Sequence, residues 1–421
     1  MLIISWIFAL ALGLLACAPP LNYGVPIIVN SFWWLYLIVV SCFASFVLIS
    51  RPMHPALKVL TVYLFVTCFY SMAPVGSFNA FVIFTLTLAY FLAAKHFDYG
   101  PFLTVIQCAF WFQFLFATVS LLGKDELMMF GSHDKVFFGT ILQHMRFASL
   151  MAIMSPFLVL RSKWYLVPIC IAAILCHSSG FALAIAAGVV VYFLLKKKRG
   201  LWNWKTGVGC LALFSAVGAA IWAGRDSWLV ALREGRVPIW GLILKSWLYD
   251  TKAGRGEPDA WGLSQTGPLD LPHFFWGHGA DSFRPLFAAY KQDANAWAES
   301  HNCWIQMPWE IGLTGFLIVL VYLGWLVKRL YDAQEHELLA GGAAIATNMI
   351  FHFPTRMTQT IWLIVTYLAL CEQRLFRKGY RHPDILGCAV SIYRRAFSTR
   401  GTGPGSRTRS KGRMPRFSWP W

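Results

Sequence analysis

The chain has 421 residues, of which 57% are hydrophobic and only 13% charged, yet its formal net charge is +17. Soluble domains contain about 25% charged residues, so this composition excludes an ordinary soluble protein and predicts an integral membrane protein. The 20 Trp, 34 Phe and 15 Tyr residues fit a large membrane interface. The positive charge does not by itself indicate a nucleic-acid partner, because its meaning depends on where it lies.

Apolar stretches near the length that crosses a bilayer as a helix, roughly 17–25 residues, recur along the chain. We therefore predict an all-α polytopic integral membrane protein with about 12 transmembrane helices. The predicted spans are residues 2–18, 29–50, 56–73, 78–94, 102–122, 147–160, 164–178, 180–195, 206–224, 304–327, 339–353 and 359–373. The pairs within 147–178 and 339–373 are joined by tight turns, which makes their separation the least certain part of this pattern.

The distribution of charge predicts the orientation. Lys and Arg near span ends gather on the cytoplasmic side, and twelve spans with both termini in the cytoplasm place a net +18 inside and −1 outside, together the +17 of the chain. The first span ends in Leu-Leu-Ala-Cys (14–17), which resembles a lipoprotein cleavage site but lacks the preceding basic residues of a signal peptide. An uncleaved first span is therefore favoured.

One connection is much longer than the others and divides the chain. We predict an N-terminal transmembrane region over 1–224 with about nine spans, a periplasmic loop over 225–303, a C-terminal transmembrane region over 304–373 with about three spans, and a basic cytoplasmic tail over 374–421. Inside the loop, 238–250 is apolar but short and predicts an interfacial helix, whereas the Gly/Pro-rich stretch 253–268 predicts irregular backbone.

The basic tail and the cysteines have simple explanations. Gly, Ser and Arg enrichment predicts disorder from about residue 399, and the basic residues favour an electrostatic contact with the inner leaflet over nucleic-acid binding. Most of the ten cysteines lie in apolar spans and none forms Cys-x-x-Cys, so neither a disulfide framework nor a zinc site is predicted.

Several motifs of enzymes that use metals or nucleotides do not occur. The chain has no Asp-x-Asp and no phosphate-binding Gly-x-x-x-x-Gly-Lys-Ser/Thr loop, so we predict a protein without metal or other cofactor. An ordered series of polar motifs remains instead, in and after the long loop. It comprises Gly235-Arg236-x-x-x-Trp240, Trp276-Gly277-His278-Gly279, His301-Asn302 and Glu310-x-Gly312-x-x-Gly315.

Each motif also has a structural explanation. Arg236 beside an interfacial helix is typical of a headgroup contact, the glycines near 277 of a turn, and a histidine at a span entrance such as His301 of a structural residue. Glu310 differs, because a carboxylate at or inside an apolar span is costly and indicates a functional site.

The order and spacing of these motifs, over about residues 135–330, resemble bacterial O-antigen ligases, O-antigen polymerases and related O-oligosaccharyltransferases. The run from Phe138 to Ala148 is similar to the segment before the middle spans of that family. The resemblance implies a glycosyltransferase of GT-C-like architecture in the bacterial inner membrane. Such an enzyme moves a glycan from an undecaprenyl pyrophosphate donor to a hydroxyl acceptor on the periplasmic side, with membrane lipids around it and no nucleic-acid partner.

Chemistry and resemblance together suggest roles for named residues. His301 suits the general base, because histidine titrates near neutrality, and Glu310 would orient it. Arg236 suits the pyrophosphate clamp, because arginine forks onto phosphate oxygens, with Arg146 as a second cation. The remaining substrate-binding candidates are Arg284, Trp240 and Asn302. Trp240 and Trp276 would stack on sugar rings or anchor the loop, and anchoring is favoured.

One departure from the family and several alternatives remain open. Where the family carries an arginine after a serine-rich stretch, this chain reads His177-Ser178-Ser179-Gly180. Arg146 or Arg284 supplies that charge, or the donor is held differently, or activity is lost. The acceptor is lipid A–core in a ligase, a lipid-linked repeat unit in a polymerase, or a protein hydroxyl in an oligosaccharyltransferase. A polyprenyl-glycan transporter and an inactive scaffold are alternatives of other classes.

Overall fold

The structure is a computed structural model, and it describes residues 2–17, 53–122, 144–176, 178–197, 237–251, 266–283, 302–352 and 358–382. Apart from His382, these residues belong to one compact unit, Met1–Arg381. Predicted spans 29–50 and 206–224 and the tail beyond 382 lie outside the described residues.

Helices dominate the N-terminal half of the described chain. Long apolar segments with few charges form them, and two of them begin with a proline, Pro55 and Pro74, at a position that needs no backbone N–H donor. They are α1 (Leu2–Cys17), α2 (Pro55–Tyr70), α3 (Pro74–Ala94), α4 (Tyr99–Leu122), α5 (His144–Arg161), α6 (Leu166–Leu175), which follows a 3₁₀ turn at Lys163–Tyr165, and α7 (Ser179–Lys197).

The loop region and the C-terminal half contain the remaining elements. They are α8 (Val237–Leu248), β1 (Tyr249–Thr251), β2 (Thr266–Leu269), α9 (Leu271–Trp276), α10 (Cys303–Asp332), α11 (His336–Phe351) and α12 (Thr358–Arg377). Strands β1 and β2 pair antiparallel, with Tyr249 opposite Leu269 and Thr251 opposite Thr266. The prediction of irregular backbone over 253–268 is therefore wrong for its last three residues, because their backbone groups pair with β1.

The described helices are those of an α-helical membrane protein. Four are long and apolar enough to cross a bilayer: Pro74–Ala94, Tyr99–Val119, Ser179–Lys196 and Cys303–Asp332. Three shorter apolar helices are Leu2–Leu14, Pro55–Tyr70 and Lys163–Leu175. Each of the ten predicted spans that falls on described residues coincides with a helix. The apolar loop segment predicted as a helix over 238–250 is helical over Val237–Leu248 and ends where β1 begins.

Small residues let the central helices approach closely. A Cβ added to Gly188 of α7 would lie 2.9 Å from the carbonyl oxygen of Ala340 in α11, and one added to Gly341 of α11 would lie 2.7 Å from the Cβ of Pro156 in α5. The α5–α11 contact is antiparallel, because Ser149 pairs with Asn348 and Pro156 with Gly341. Close backbone approach of this kind is typical of membrane helix packing.

Candidate functional site

The two glycine motifs of the sequence meet in the structure. The turn after α9 lies against a break in α10: the backbone N–H of His278 donates to the carbonyl oxygen of Trp309 at 3.1 Å, and that of Gly279 donates to Glu310 at 2.9 Å. Two carbonyls that precede the break thus accept hydrogen bonds from the loop. The break itself is at Gly312, whose backbone leaves the helical region. The long loop is therefore fastened to the helix that follows it.

This contact requires glycine on both sides. Gly277 has a φ of 76° and Gly312 a φ of 65°, both in the region that side chains disfavour. A Cβ on Gly277 would lie 2.3 Å from the carbonyl oxygen of Glu310, and a Cβ on Gly312 would lie 2.3 Å from that of Phe275. Gly279, with φ 106°, approaches Ser71 at the end of α2 just as closely. Gly277 and Gly312 thus approach backbone atoms, whereas Gly279 approaches the side chains of Ser71 and Ser77.

His278 is the buried centre of this contact. Its ring, in a residue 3% exposed, lies between the rings of His273 at 4.5 Å and Trp309 at 4.1 Å, both nearly parallel to it. Its Nδ1 lies 3.0 Å from the carbonyl oxygen of Trp309, which only accepts, so Nδ1 carries the proton. Burial lowers the pKa of His278 to about 4. The neutral ring is thus a packing element that needs its hydrogen bond.

Glu310 reaches across the same contact. Its Oε1 accepts from the backbone N–H of Phe283 at 3.3 Å and from Nε2 of Gln306 at 3.1 Å. Glu310 lies about 12 Å along α10 from Asn302, the neighbour of His301, because each helical residue adds about 1.5 Å. The hydrogen bond from Phe283 ties the carboxylate to the loop, and the bond from Gln306 lies within α10. That Glu310 orients His301 stays a prediction, since His301 lies outside the described residues.

A second set of polar groups lies where α10 begins. Oδ1 of Asn302 accepts from the backbone N–H groups of Trp304 at 3.0 Å and Ile305 at 3.2 Å, so Asn302 is the N-cap of α10. The thiol of Cys303 lies 3.6 Å from the carbonyl oxygen of His352. Nε2 of His352 in turn lies 3.5 Å from the Oγ of Ser178. These four residues are all buried, and we call them the polar cluster.

Arg146 reaches the level of this cluster through the antiparallel packing of α5 on α11. Nδ2 of Asn348 donates to the Oγ of Ser149 at 2.9 Å. Arg146 precedes Ser149 by about one turn, and His352 follows Asn348 by about one turn, so both lie at the same end of the helix pair. Arg146 is half-buried, with its Nε inside the protein. Arg146 therefore lies at the same end of the α5–α11 pair as His352, a member of the polar cluster.

The predicted site residues divide between described and undescribed parts of the chain. Glu310, Asn302, Arg146 and Trp240 are described, whereas His301, Arg236 and Arg284 lie outside the described residues. Trp240 is half-buried on α8. Trp276 is half exposed, and its carbonyl oxygen accepts from the hydroxyls of Tyr63 at 3.0 Å and Tyr70 at 3.3 Å. Its backbone thus anchors the loop to α2.

Sequence reasoning missed two features that the structure reveals. Gly180 faces His352: a Cβ there would lie 2.7 Å from Nε2 of the ring. The only sequence signal was a histidine at a span end. At the other end of the bundle, Lys95 and Glu372 form a buried ion pair of 2.9 Å, and the hydroxyl of Tyr322 donates to Glu372 at 2.9 Å. The sequence presented both charges only as markers of orientation.

Comparison with known proteins adds no assignment to this geometry. Among the residues that the structure describes, no group of three or more His, Cys, Asp or Glu side chains is arranged to hold a metal ion. No protein-family model matches the chain, and no curated protein matches it either.

Proposed function

We propose that the protein is a glycosyltransferase of the bacterial inner membrane, with both termini in the cytoplasm, about 12 spans and a GT-C-like architecture. It moves a glycan from an undecaprenyl pyrophosphate donor to a hydroxyl on the periplasmic side. The acceptor that we favour is lipid A–core, which makes the protein an O-antigen ligase. Polymerisation of repeat units and transfer to protein hydroxyls are the alternatives within the same family.

The observation that carries this proposal is the fastening of the Gly277–Gly279 turn to Trp309, Glu310 and Gly312. Two motifs that resemble the family in sequence are joined by backbone hydrogen bonds. The same helix, α10, starts at Cys303 directly after the His301-Asn302 pair. These hydrogen bonds place the Gly277–Gly279 turn on the first third of α10, the helix that the proposed base directly precedes in sequence.

The chemistry requires a base and stabilisation of a leaving group. His301 accepts the proton of the acceptor hydroxyl while the hydroxyl oxygen attacks the anomeric carbon. The bond between that carbon and the pyrophosphate oxygen breaks, and the pyrophosphate departs with the electron pair. Arg236 and Arg146 stabilise its added negative charge, with Arg284 as a further cation. No metal enters this scheme.

The polar cluster supports the role of Arg146. Half-buried Arg146 lies at the end of the α5–α11 helix pair that also carries His352, and its charge replaces the arginine that the family carries and this chain lacks near Gly180. Burial among polar partners strengthens electrostatic interactions with a charged substrate. Asn302 caps α10 through its Oδ1, which fixes the residue that directly follows the proposed base at the start of this helix.

Purified protein tests the proposal directly. Undecaprenyl pyrophosphate glycan and lipid A–core are mixed with wild-type or His301→Ala protein, and the glycan–lipid product is measured. We expect product with the wild type and a loss of at least about 100-fold with the variant, the usual contribution of a general base. Product formed equally well by His301→Ala contradicts the assignment.

Acceptor choice separates the related activities in the same assay. Extension of the donor without lipid A–core indicates a polymerase, and labelling of a protein hydroxyl indicates an oligosaccharyltransferase. Movement of intact donor across vesicles, with no new glycosidic bond, indicates the transporter alternative. Each outcome replaces the ligase assignment by a named one.

A further inference from the structure

An apolar cavity of about 590 Å³ lies between α5, α6, α7 and α11. Its walls include Ala152, Val167, Ile171, Ile185 and Ala344. Sites for small ligands have volumes of about 300–1,000 Å³, so this one has room for a flexible hydrocarbon chain. Val167 and Ile171 are 55% and 43% exposed, which places the open side of the cavity toward the surrounding bilayer.

The charged groups that line the cavity, Lys163 and Glu337, lie together with Tyr192 at one end, and Lys196 lies beside them. Nζ of Lys163 donates to the hydroxyl of Tyr192 at 3.0 Å and lies 3.3 Å from a carboxylate oxygen of Glu337. Nζ of Lys196 lies 4.7 Å from the centre of the Tyr192 ring. Two ammonium groups and a phenol thus lie at this end of the cavity, which we call the mouth, together with one carboxylate. In the sequence, Lys196 begins the basic run 196–199.

This mouth is far from the polar cluster of the candidate site. Gly180 and Lys196 are at opposite ends of α7, separated by about 24 Å at about 1.5 Å per residue. The cluster faces the loop side of the bundle and the mouth faces the other side, which is cytoplasmic in the proposed topology. A donor whose pyrophosphate reacts beside α10 therefore does not place that group between Lys163 and Lys196.

We propose that this cavity binds one acyl chain of an anionic glycerophospholipid from the inner leaflet, with the lipid phosphate between Lys163 and Lys196. The exposed ion pair of Lys163 with Glu337 is weak in water, so a phosphate competes with the carboxylate. The Tyr192 hydroxyl donates to a second phosphate oxygen. This inference relies on the topology of the proposed function, but not on its chemistry.

To test the site, the full-length protein is exchanged into vesicles of either phosphatidylglycerol or phosphatidylcholine and then extracted in mild detergent. Native mass spectrometry measures how much phospholipid the protein retains. A basic residue near an anionic lipid surface contributes about a fivefold gain in affinity. Lys163→Ala combined with Lys196→Ala should therefore lower phosphatidylglycerol retention by about 25-fold. The matched control is Lys58→Ala combined with Lys328→Ala, two exposed lysines of the same predicted side that do not line the cavity.

A second pair of variants tests the cavity itself. Ile171→Trp fills it from the bilayer side and should reduce retention, whereas Val62→Trp, which is on an exposed face of α2, should not. Four outcomes would each overturn the proposal. Retention falls equally in the control and test variants, or stays unchanged in Ile171→Trp. Alternatively, phosphatidylcholine is retained as well as phosphatidylglycerol, or a polyprenyl phosphate co-purifies in place of phospholipid. Glycan transfer measured on the same preparations separates the two claims: active protein without bound phospholipid contradicts only the lipid site, and inactive protein that retains it contradicts only the proposed function.

Discussion

Gly277 and Gly312 pack backbone against backbone: a Cβ on Gly277 would lie 2.3 Å from the amide nitrogen of Gly312, and a Cβ on Gly312 would lie 2.5 Å from that of Gly277. The first residue belongs to the loop and the second to the interior of α10. Because both also have positive φ, neither position accepts a side chain without moving the loop away from the helix. The proposed activity depends on this contact.

Substitution of either glycine should therefore reduce glycan transfer sharply. We expect Gly277→Ala and Gly312→Ala each to lower transfer at least about tenfold and to destabilise the protein by about 1–3 kcal/mol, the range of backbone strain at such positions. Gly324→Ala is the matched control in α10, because nothing lies within 4 Å of its added Cβ. Transfer rates and melting temperatures in detergent measure both effects, and a Gly277→Ala protein as active as Gly324→Ala shows that the contact is dispensable.

The polar cluster gives a second glycine test. Gly180→Ala would push a methyl group to 2.7 Å from Nε2 of His352, so the ring must move, which disturbs its 3.5 Å contact with the Oγ of Ser178. We expect a loss of transfer of about tenfold or more with the α-helical content unchanged. Gly342→Ala, with open space around the added Cβ on α11, should keep the wild-type rate. Unchanged transfer in Gly180→Ala would place the cluster outside the site.

Substitutions of Glu310 test whether its side chain positions the loop by accepting hydrogen bonds or acts through its negative charge. Its Oε1 accepts from Phe283 and Gln306, and the amide oxygen of glutamine accepts in the same way. If Glu310 holds the loop, Glu310→Gln should retain transfer within about threefold of the wild type while Glu310→Ala loses at least about tenfold, because a buried donor is left unpaired. Transfer measured between pH 5 and 9 checks the alternative. A large loss in Glu310→Gln, with a lowered pKa in the rate profile, indicates that the charge supports His301.

How far the sequence predicts this structure depends on the range of the interactions involved. The positions of the described helices follow from local hydropathy, and α8 was predicted within two residues of each end. The pairing of Thr266–Leu269 with Tyr249–Thr251 was not, since a Gly/Pro-rich composition carries no signal of its partner strand. The contact of Gly180 with His352 joins residues far apart in sequence, and only helix packing brings them together. The glycine motifs were noticed in the sequence, but their mutual contact was not.

His278 predicts a pH-dependent stability. Burial lowers its pKa from 6.5 to about 4, so the unfolded chain binds this proton more readily than the folded one between those values. Stability should therefore fall as the pH drops from about 6.5 to about 4, by about 3 kcal/mol for this group. Melting temperatures of wild type and His278→Gln between pH 7 and 4 measure the effect. The variant is less stable at neutral pH but should lose less on acidification, and parallel curves for the two proteins contradict the assignment.

Variants of the buried Lys95–Glu372 ion pair test whether these charges only pack helices together or also take part in moving the substrate. Removal of one partner leaves an uncompensated buried charge and costs about 3–5 kcal/mol, so Lys95→Met alone should lower the melting temperature and the yield strongly. Glu372→Gln combined with Lys95→Met removes both charges and keeps an acceptor for Tyr322, so stability should recover to within about 1–2 kcal/mol of the wild type. If the pair only packs helices, this double variant also retains glycan transfer. A stable double variant that forms no glycosidic bond would instead give these charges a part in moving the substrate, as the transporter alternative requires.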